Sequence, residues 1–418
     1  MAGTIIDYVK ECGSRTWDEF PMNDVDSLVL CQLAYLKFDG IVPGLKENRA
    51  SVTLKDIYGH GDYEKLYADE RYEKDNRALF EAMLQSERYW KLKLNCYINI
   101  VEKEWETQFS AVTYLLEDGT MYIAYRGTDE TIVGWKEDFN MAFLNPVPGQ
   151  SYSIKYLNMV TGKLRNRFYV GGHSKGGNLA VYAAMNCSDQ VRARIIKVYS
   201  MDGPGFRPEV LSSGRYEAVE QRIVKILPQS SLVGMLFEKD IRYKTVASKT
   251  FGLAQHNPYT WLVKDGHFVE ADDIYERRLR MDETINEWIL SLDAVRLQIF
   301  VDTLYQVISA SEVDNLIDFT ADWRKSMTGI VNALKEVDEE TAKMLKEIVK
   351  SLFEIAKDKV LLEWRPGGEK KISSKSSGVK ASGVKRTLQL KKQDKKAGEF
   401  RRFRKAPCPD APDAIADR

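Results

Sequence analysis

Histidine is the scarcest reactive residue in this chain, with four among 418 residues. Any chemistry that needs an imidazole must therefore draw on His60, His173, His256 or His267. Cysteine is nearly as rare. Cys12, Cys31, Cys96, Cys187 and Cys408 are odd in number and scattered, with no C-x-x-C spacing. That pattern excludes a paired-thiol zinc framework, argues against a disulfide scaffold, and points to a reducing compartment. No apolar run approaches the roughly 18 residues needed to cross a bilayer. Met1 to Tyr8 lacks the charged start and apolar core of a secretory signal. The expectation is a cytoplasmic protein, working without metal or organic cofactor. Net charge is also missing, since 61 Lys+Arg offset 61 Asp+Glu, but the balance is uneven. Residues 365–418 hold 16 Lys+Arg against 6 Asp+Glu, so the body carries the compensating negative charge.

What is present organises the chain into four parts. Residues 1–100 read as a mainly helical region packed on the core. Asn23 offers a helix cap ahead of apolar residues at helical spacing, and 64–89 forms a second, more polar helical stretch. Residues 101–271 read as an α/β core. Strands are expected at 95–100 and 107–116, a hairpin turn at Glu117-Asp-Gly-Thr120, and strands at 121–125, 195–201 and 222–227. Strands alternating with helices imply a mostly parallel central sheet flanked by helices. Residues 272–364 return to a 3.6-residue period and form an additional C-terminal helical region. Arg365-Pro-Gly-Gly368 breaks the pattern and starts a basic tail, poor in large apolar residues and expected to be disordered.

The most informative stretch is Phe168-Tyr-Val-Gly-Gly-His-Ser-Lys-Gly-Gly-Asn178. It reads as a buried strand, a sharp turn and a small-residue helix. Gly172-His-Ser-Lys-Gly176 is a G-x-S-x-G, and the flanking Gly171 and Gly177 give strand and helix room to pack closely. Ser174 then projects its hydroxyl at a helix N-terminus, which favours developing negative charge.

A serine hydroxyl needs a base, and the base an orienting acid. On an elbow of this type the chain order is Ser, acid, His. His256, in Gln255-His-Asn-Pro-Tyr-Thr-Trp261, is assigned as the base, with His267 in a hairpin turn as the alternative. Asp202 ends the strand 195–201 and opens Asp-Gly-Pro-Gly-Phe206, at the sheet edge where catalytic groups gather. It is assigned as the acid. Asp240 is the runner-up, because Pro228-Gln-Ser-Ser231 after the next strand offers no carboxylate. The backbone N–H of Lys175 is one oxyanion donor. Tyr125-Arg-Gly-Thr128 leads from a strand into a loop that is either an ordinary turn or a second donor site at Thr128. The apolar Leu232–Phe237 is either a lid over an acyl chain or a buried core helix.

Taken together, Tyr125-Arg-Gly-Thr128, Trp135, Asp138 and Gly172-His-Ser-Lys-Gly176 resemble the class 3 lipase branch of the α/β-hydrolases. Pro21-Met-Asn-Asp-Val-Asp-Ser-Leu28, Asp202-Gly-Pro-Gly-Phe206 and Gln255-His-Asn-Pro-Tyr-Thr-Trp261 are similar, more narrowly, to the bacterial Mbeg1-like family. The likeness spans roughly residues 1–310. It implies an α/β-hydrolase fold, an oxyanion role for Thr128, and serine ester hydrolysis. One departure is that class 3 lipases usually place their acid after the strand that here ends in Pro228-Gln-Ser-Ser231. The expected partner is an acyl-ester or lipid substrate. The basic residues within 370–405 form an expected contact with an anionic membrane surface rather than a specific nucleic-acid site. A catalytically inactive hydrolase fold used as a binding scaffold is the alternative function.

Overall fold

The computed structural model describes residues 2–271 apart from 48–49, 68–71, 103–106, 129–145, 230, 232, 238–241 and 251, together with Glu339 and Lys343. Trp135, Asp138, Asp240, Leu232, the expected helical region 272–364 (those two residues aside) and the tail 365–418 lie outside the described residues.

Eight strands form one sheet in strictly sequential order: β1 (Val52–Thr53), β2 (Lys93–Glu102), β3 (Thr107–Leu115), β4 (Met121–Tyr125), β5 (Phe168–His173), β6 (Ile195–Met201), β7 (Ile223–Pro228) and β8 (Tyr243–Val246). β1 to β4 pair antiparallel, and β4 to β8 pair parallel. The sequential order has a steric consequence. Parallel crossovers are right-handed, so connections that all step in one direction fall on one face of the sheet. The opposite face is left to be covered by something else.

The two hydrophobic clusters follow this division. On one face lie α5 (Pro148–Lys163) and α6 (Lys175–Asn186). Tyr152, Tyr156, Leu179 and Ala183 pack there against Met121, Ile123, Tyr125 and Val170. On the other face lie α1 (Ile5–Cys12), α2 (Asp24–Leu33), α3 (Leu54–Tyr58) and α4 (Glu73–Leu84). Ile5, Leu28, Leu54 and Phe80 share that cluster with Tyr122, Ala124, Tyr199 and Ile226. The alternation along β4 is the period-2 signature of a strand buried on both sides. The N-terminal helices thus fill the face that the crossovers leave bare.

Local chemistry sets these elements. Asn23 caps α2 by accepting from the Val25 and Asp26 N–H groups, while Asp26 accepts from the Asn23 N–H. The helix expected over 64–89 is divided into a 3₁₀ turn, Tyr63–Tyr67, and α4. Tyr72, at φ 63°, has the left-handed backbone that a continuous helix cannot contain. Asp26, in the first turn of α2, is fully buried and pairs with Arg88 at 2.6 Å. Its carboxylate also accepts from the Tyr8 and Tyr89 hydroxyls. This cluster ties α1, α2 and the segment after α4 into one unit. With a central sheet covered by helices on both faces and a serine elbow at its centre, the chain has the α/β-hydrolase fold.

Candidate active site

The elbow is built by close approach. β5 and α6 meet at Ser174, whose φ of 58° and ψ of −131° lie outside the regions that L-residues favour. Such a residue costs on the order of 1–3 kcal/mol and persists only where its surroundings fix it. Here the Ser174 N–H donates to the Met201 carbonyl at 2.9 Å, and its carbonyl accepts from the Gly177 N–H at 2.9 Å. A methyl group on Gly172 would overlap the Gly176 backbone, and one on Gly176 would overlap the Tyr125 carbonyl. Only glycine at both positions lets strand, turn and helix meet.

Asp202 follows β6 directly and also has a left-handed backbone, at φ 50°. Its N–H donates to the Ile226 carbonyl at 2.8 Å, which fixes it to the neighbouring strand. The Gly-Pro-Gly after it is held by Asn178, whose amide donates to the Pro204 and Gly205 carbonyls. His256 closes a short 3₁₀ turn, Gly252–His256, after β8. Gln255 donates to the Thr250 carbonyl at 2.6 Å, and the Trp261 indole donates to the Gln255 carbonyl at 2.8 Å. Three separate segments therefore bring three side chains together.

His256 Nδ1 lies 2.6 Å from Asp202 Oδ2, and His256 Nε2 lies 3.0 Å from Ser174 Oγ. The carboxylate accepts, so Nδ1 carries the proton, and Nε2 presents its lone pair to the serine hydroxyl. The Asp202 side chain is 1% exposed and the His256 side chain 17%. An acid shielded from water beside a partly accessible imidazole is the arrangement that supports general-base chemistry at the serine. His267 does not join them. It is exposed, in a two-stranded hairpin opposite Lys264. His60 is exposed and accepts from the Asp62 N–H.

The Mbeg1-like family model matches residues 83–306, just over half of the chain. The chain belongs to the Mbeg1-like family. Among solved structures, one titled "Crystal structure of M37 lipase" is similar at 14% identity, with a TM-score of 0.31, over 50% of this chain and 67% of that one. No curated protein matches.

The other expected residues of this Mbeg1-like chain are placed as follows. Lys175 is the first residue of α6, and its side chain is buried, with Nζ donating to the backbone and side-chain oxygens of Gln108 at 2.8 and 2.7 Å. This tie to β3 has no signal in the local sequence. Arg126 and Gly127 lead from β4 past the elbow, since a methyl on Gly127 would meet the His173 carbonyl and the Tyr35 hydroxyl. The half-buried Thr128 comes next. The apolar segment after β7 is not a core helix. Val233 to Phe237 form hydrogen-bonded turns, with Met235 and Phe237 buried and the Leu236 carbonyl accepting from the Gly205 N–H. Just before it, Ser231 donates to Asp202 Oδ1 and accepts from the Gly234 N–H. Both serine contacts were invisible in the sequence.

Four of the five cysteines, Cys12, Cys31, Cys96 and Cys187, are buried free thiols. Among the described residues, no helix is long and apolar enough to cross a membrane.

Proposed function

We propose that the protein is a serine carboxylic-ester hydrolase acting on a lipid-like acyl ester. The observation that carries this reading is the pair of contacts around His256, 2.6 Å to Asp202 and 3.0 Å to Ser174 on a strained elbow. His256 Nε2 takes the Ser174 proton as Oγ attacks the acyl carbonyl. Asp202 holds the imidazole in the required tautomer and stabilises the imidazolium that forms. The N–H of Lys175, at the start of α6, and that of Thr128 bind the oxyanion. His256 returns the proton to the departing alcohol, and water then resolves the acyl-enzyme by the same steps in reverse. The lipid-like substrate is supported by the likeness of the motifs to class 3 lipases.

Fluorophosphonate labelling tests the proposal, with the wild type compared with Ser174→Ala and His256→Ala. Labelling of the wild type that is lost in both variants is the expected result, and a p-nitrophenyl ester series then sizes the acyl site. A folded wild type that is not labelled, with or without lipid vesicles, would overturn the enzyme reading in favour of a binding scaffold.

For the basic residues within 370–405 we propose attachment to anionic membrane surface, which would deliver an ester hydrolase to lipid. Salt-sensitive co-sedimentation with anionic vesicles should disappear when these lysines and arginines are changed to glutamine. Unchanged sedimentation of that variant would sink this idea.

A further inference from the structure

The hydrogen-bonded chain through Ser174, His256 and Asp202 has a second branch. It enters His256 from the backbone rather than the ring. His173 Nε2 lies 3.0 Å from the His256 carbonyl oxygen, and His173 Nδ1 lies 3.2 Å from the Tyr35 hydroxyl. A carbonyl only accepts, so His173 Nε2 carries a proton and donates it. In the neutral ring Nδ1 is then an acceptor, and Tyr35 donates to it. Both side chains are buried, His173 at 4% exposure and Tyr35 at 9%. The two imidazoles stand 4.7 Å apart.

We propose that Tyr35 and His173 form a positioning relay that fixes the reach of His256 toward Ser174. The proposal rests on the hydrolase reading above. His256 belongs to a single short 3₁₀ turn rather than to a strand or a long helix. Such a turn keeps its place through what binds its carbonyls. The Trp261 indole holds the carbonyl of Gln255, and His173 holds the next one. A shift of the His256 backbone by a fraction of an ångström changes the Nε2–Oγ contact directly, and catalytic rate is steeply sensitive to that geometry.

Tyr35 makes the relay specific. The His256 carbonyl selects the Nε2–H tautomer of His173, and the Tyr35 hydroxyl donates to the Nδ1 lone pair that this leaves, fixing the ring's orientation. The same hydroxyl lies where a side chain on Gly127 would sit, at the loop that leads to Thr128. Tyr35 lies just past the α2 C-cap, so the N-terminal region reaches the elbow and the oxyanion loop with one side chain, and the base turn through His173. The second histidine of this cluster therefore acts through the first and touches no reacting atom.

The test is the kinetics of fluorophosphonate labelling on full-length protein, separating probe affinity from the inactivation rate constant. Thermal unfolding is followed alongside. His173→Phe is expected to lower the inactivation rate constant about 10- to 100-fold with probe affinity unchanged. Tyr35→Phe should lower it about 10-fold. His173→Gln, whose amide N–H reaches toward the place of Nε2, should recover most of the rate. A labelled wild type with an equally reactive His173→Phe variant overturns the relay alone, as does a His173→Gln variant no faster than His173→Phe. If His173→Phe does not fold, a Tyr35→Phe variant that keeps the wild-type rate overturns the relay, and a slowed one that melts like the wild type supports it. A wild type that is not labelled overturns the hydrolase reading itself and the relay with it.

Discussion

Ser231 donates its hydroxyl hydrogen to Oδ1 of Asp202, the carboxylate oxygen that His256 leaves unused. The Gly234 N–H donates in turn to Ser231 Oγ at 3.0 Å, so the hydroxyl cannot rotate freely. Ser231 follows β7, in the segment where class 3 lipases usually carry their acid. In this chain that segment supplies a hydroxyl partner for Asp202, the proposed acid, which comes one strand earlier.

Removing that donor should leave Oδ1 buried with less compensation and free the carboxylate to turn. Ser231→Ala is expected to slow fluorophosphonate labelling about 10-fold and to cost about 1–3 kcal/mol of stability. Asp202→Asn should lose far more, about 10³- to 10⁴-fold. Labelling of Ser231→Ala at the wild-type rate across the pH range would show that Ser231 only packs there.

The Arg88–Asp26 pair makes a separate prediction, about stability rather than chemistry. Both side chains are fully buried. Arg88 also donates to the Arg15 and Thr16 carbonyls and lies 3.7 Å over the Trp17 ring. Arg88→Met would leave Asp26 charged with only its tyrosine and backbone partners. Breaking such a pair costs about 3–5 kcal/mol. The urea midpoint should fall accordingly, while the fraction that remains folded keeps its labelling rate. A midpoint equal to that of the wild type would mean that the cluster holds nothing together.

Lys225 predicts a pH dependence. It lies on β7 at 5% exposure, and burial pushes its ammonium down from the ordinary 10.5 to about 7, with nearby Asp202 acting in the opposite direction. Below about 7 the amine is charged in both folded and unfolded chains, and the burial cost is felt in full. Between 7 and 10.5 the unfolded chain binds the extra proton, so the contribution of Lys225 to stability rises with pH through that window. Lys225→Met should therefore raise the melting temperature more at pH 6 than at pH 9. An equal gain at both values would refute a titrating buried amine.

The sequence by itself determined the elbow. Gly172, Ser174 and Gly176 announce it as a short motif, and a methyl at either glycine would strike backbone, that of Gly176 for Gly172 and that of Tyr125 for Gly176. It also narrowed the candidate base to His256, with His267 as the alternative, since chain order and the scarcity of histidine left few choices. Asn23 as a cap and strands β2 to β7 were legible because each is written within a few neighbouring residues, whereas the short β1 and β8 were not. Only the tertiary structure decided the rest. That Ser231 would face Asp202, that Lys175 would reach Gln108, and that Tyr35 would meet His173 across 138 positions are matters of strand order and loop approach. No local pattern encodes them. The same holds for the N-terminal helices: their helical character is visible in the sequence, but their place follows from a sheet whose crossovers all turn to one side.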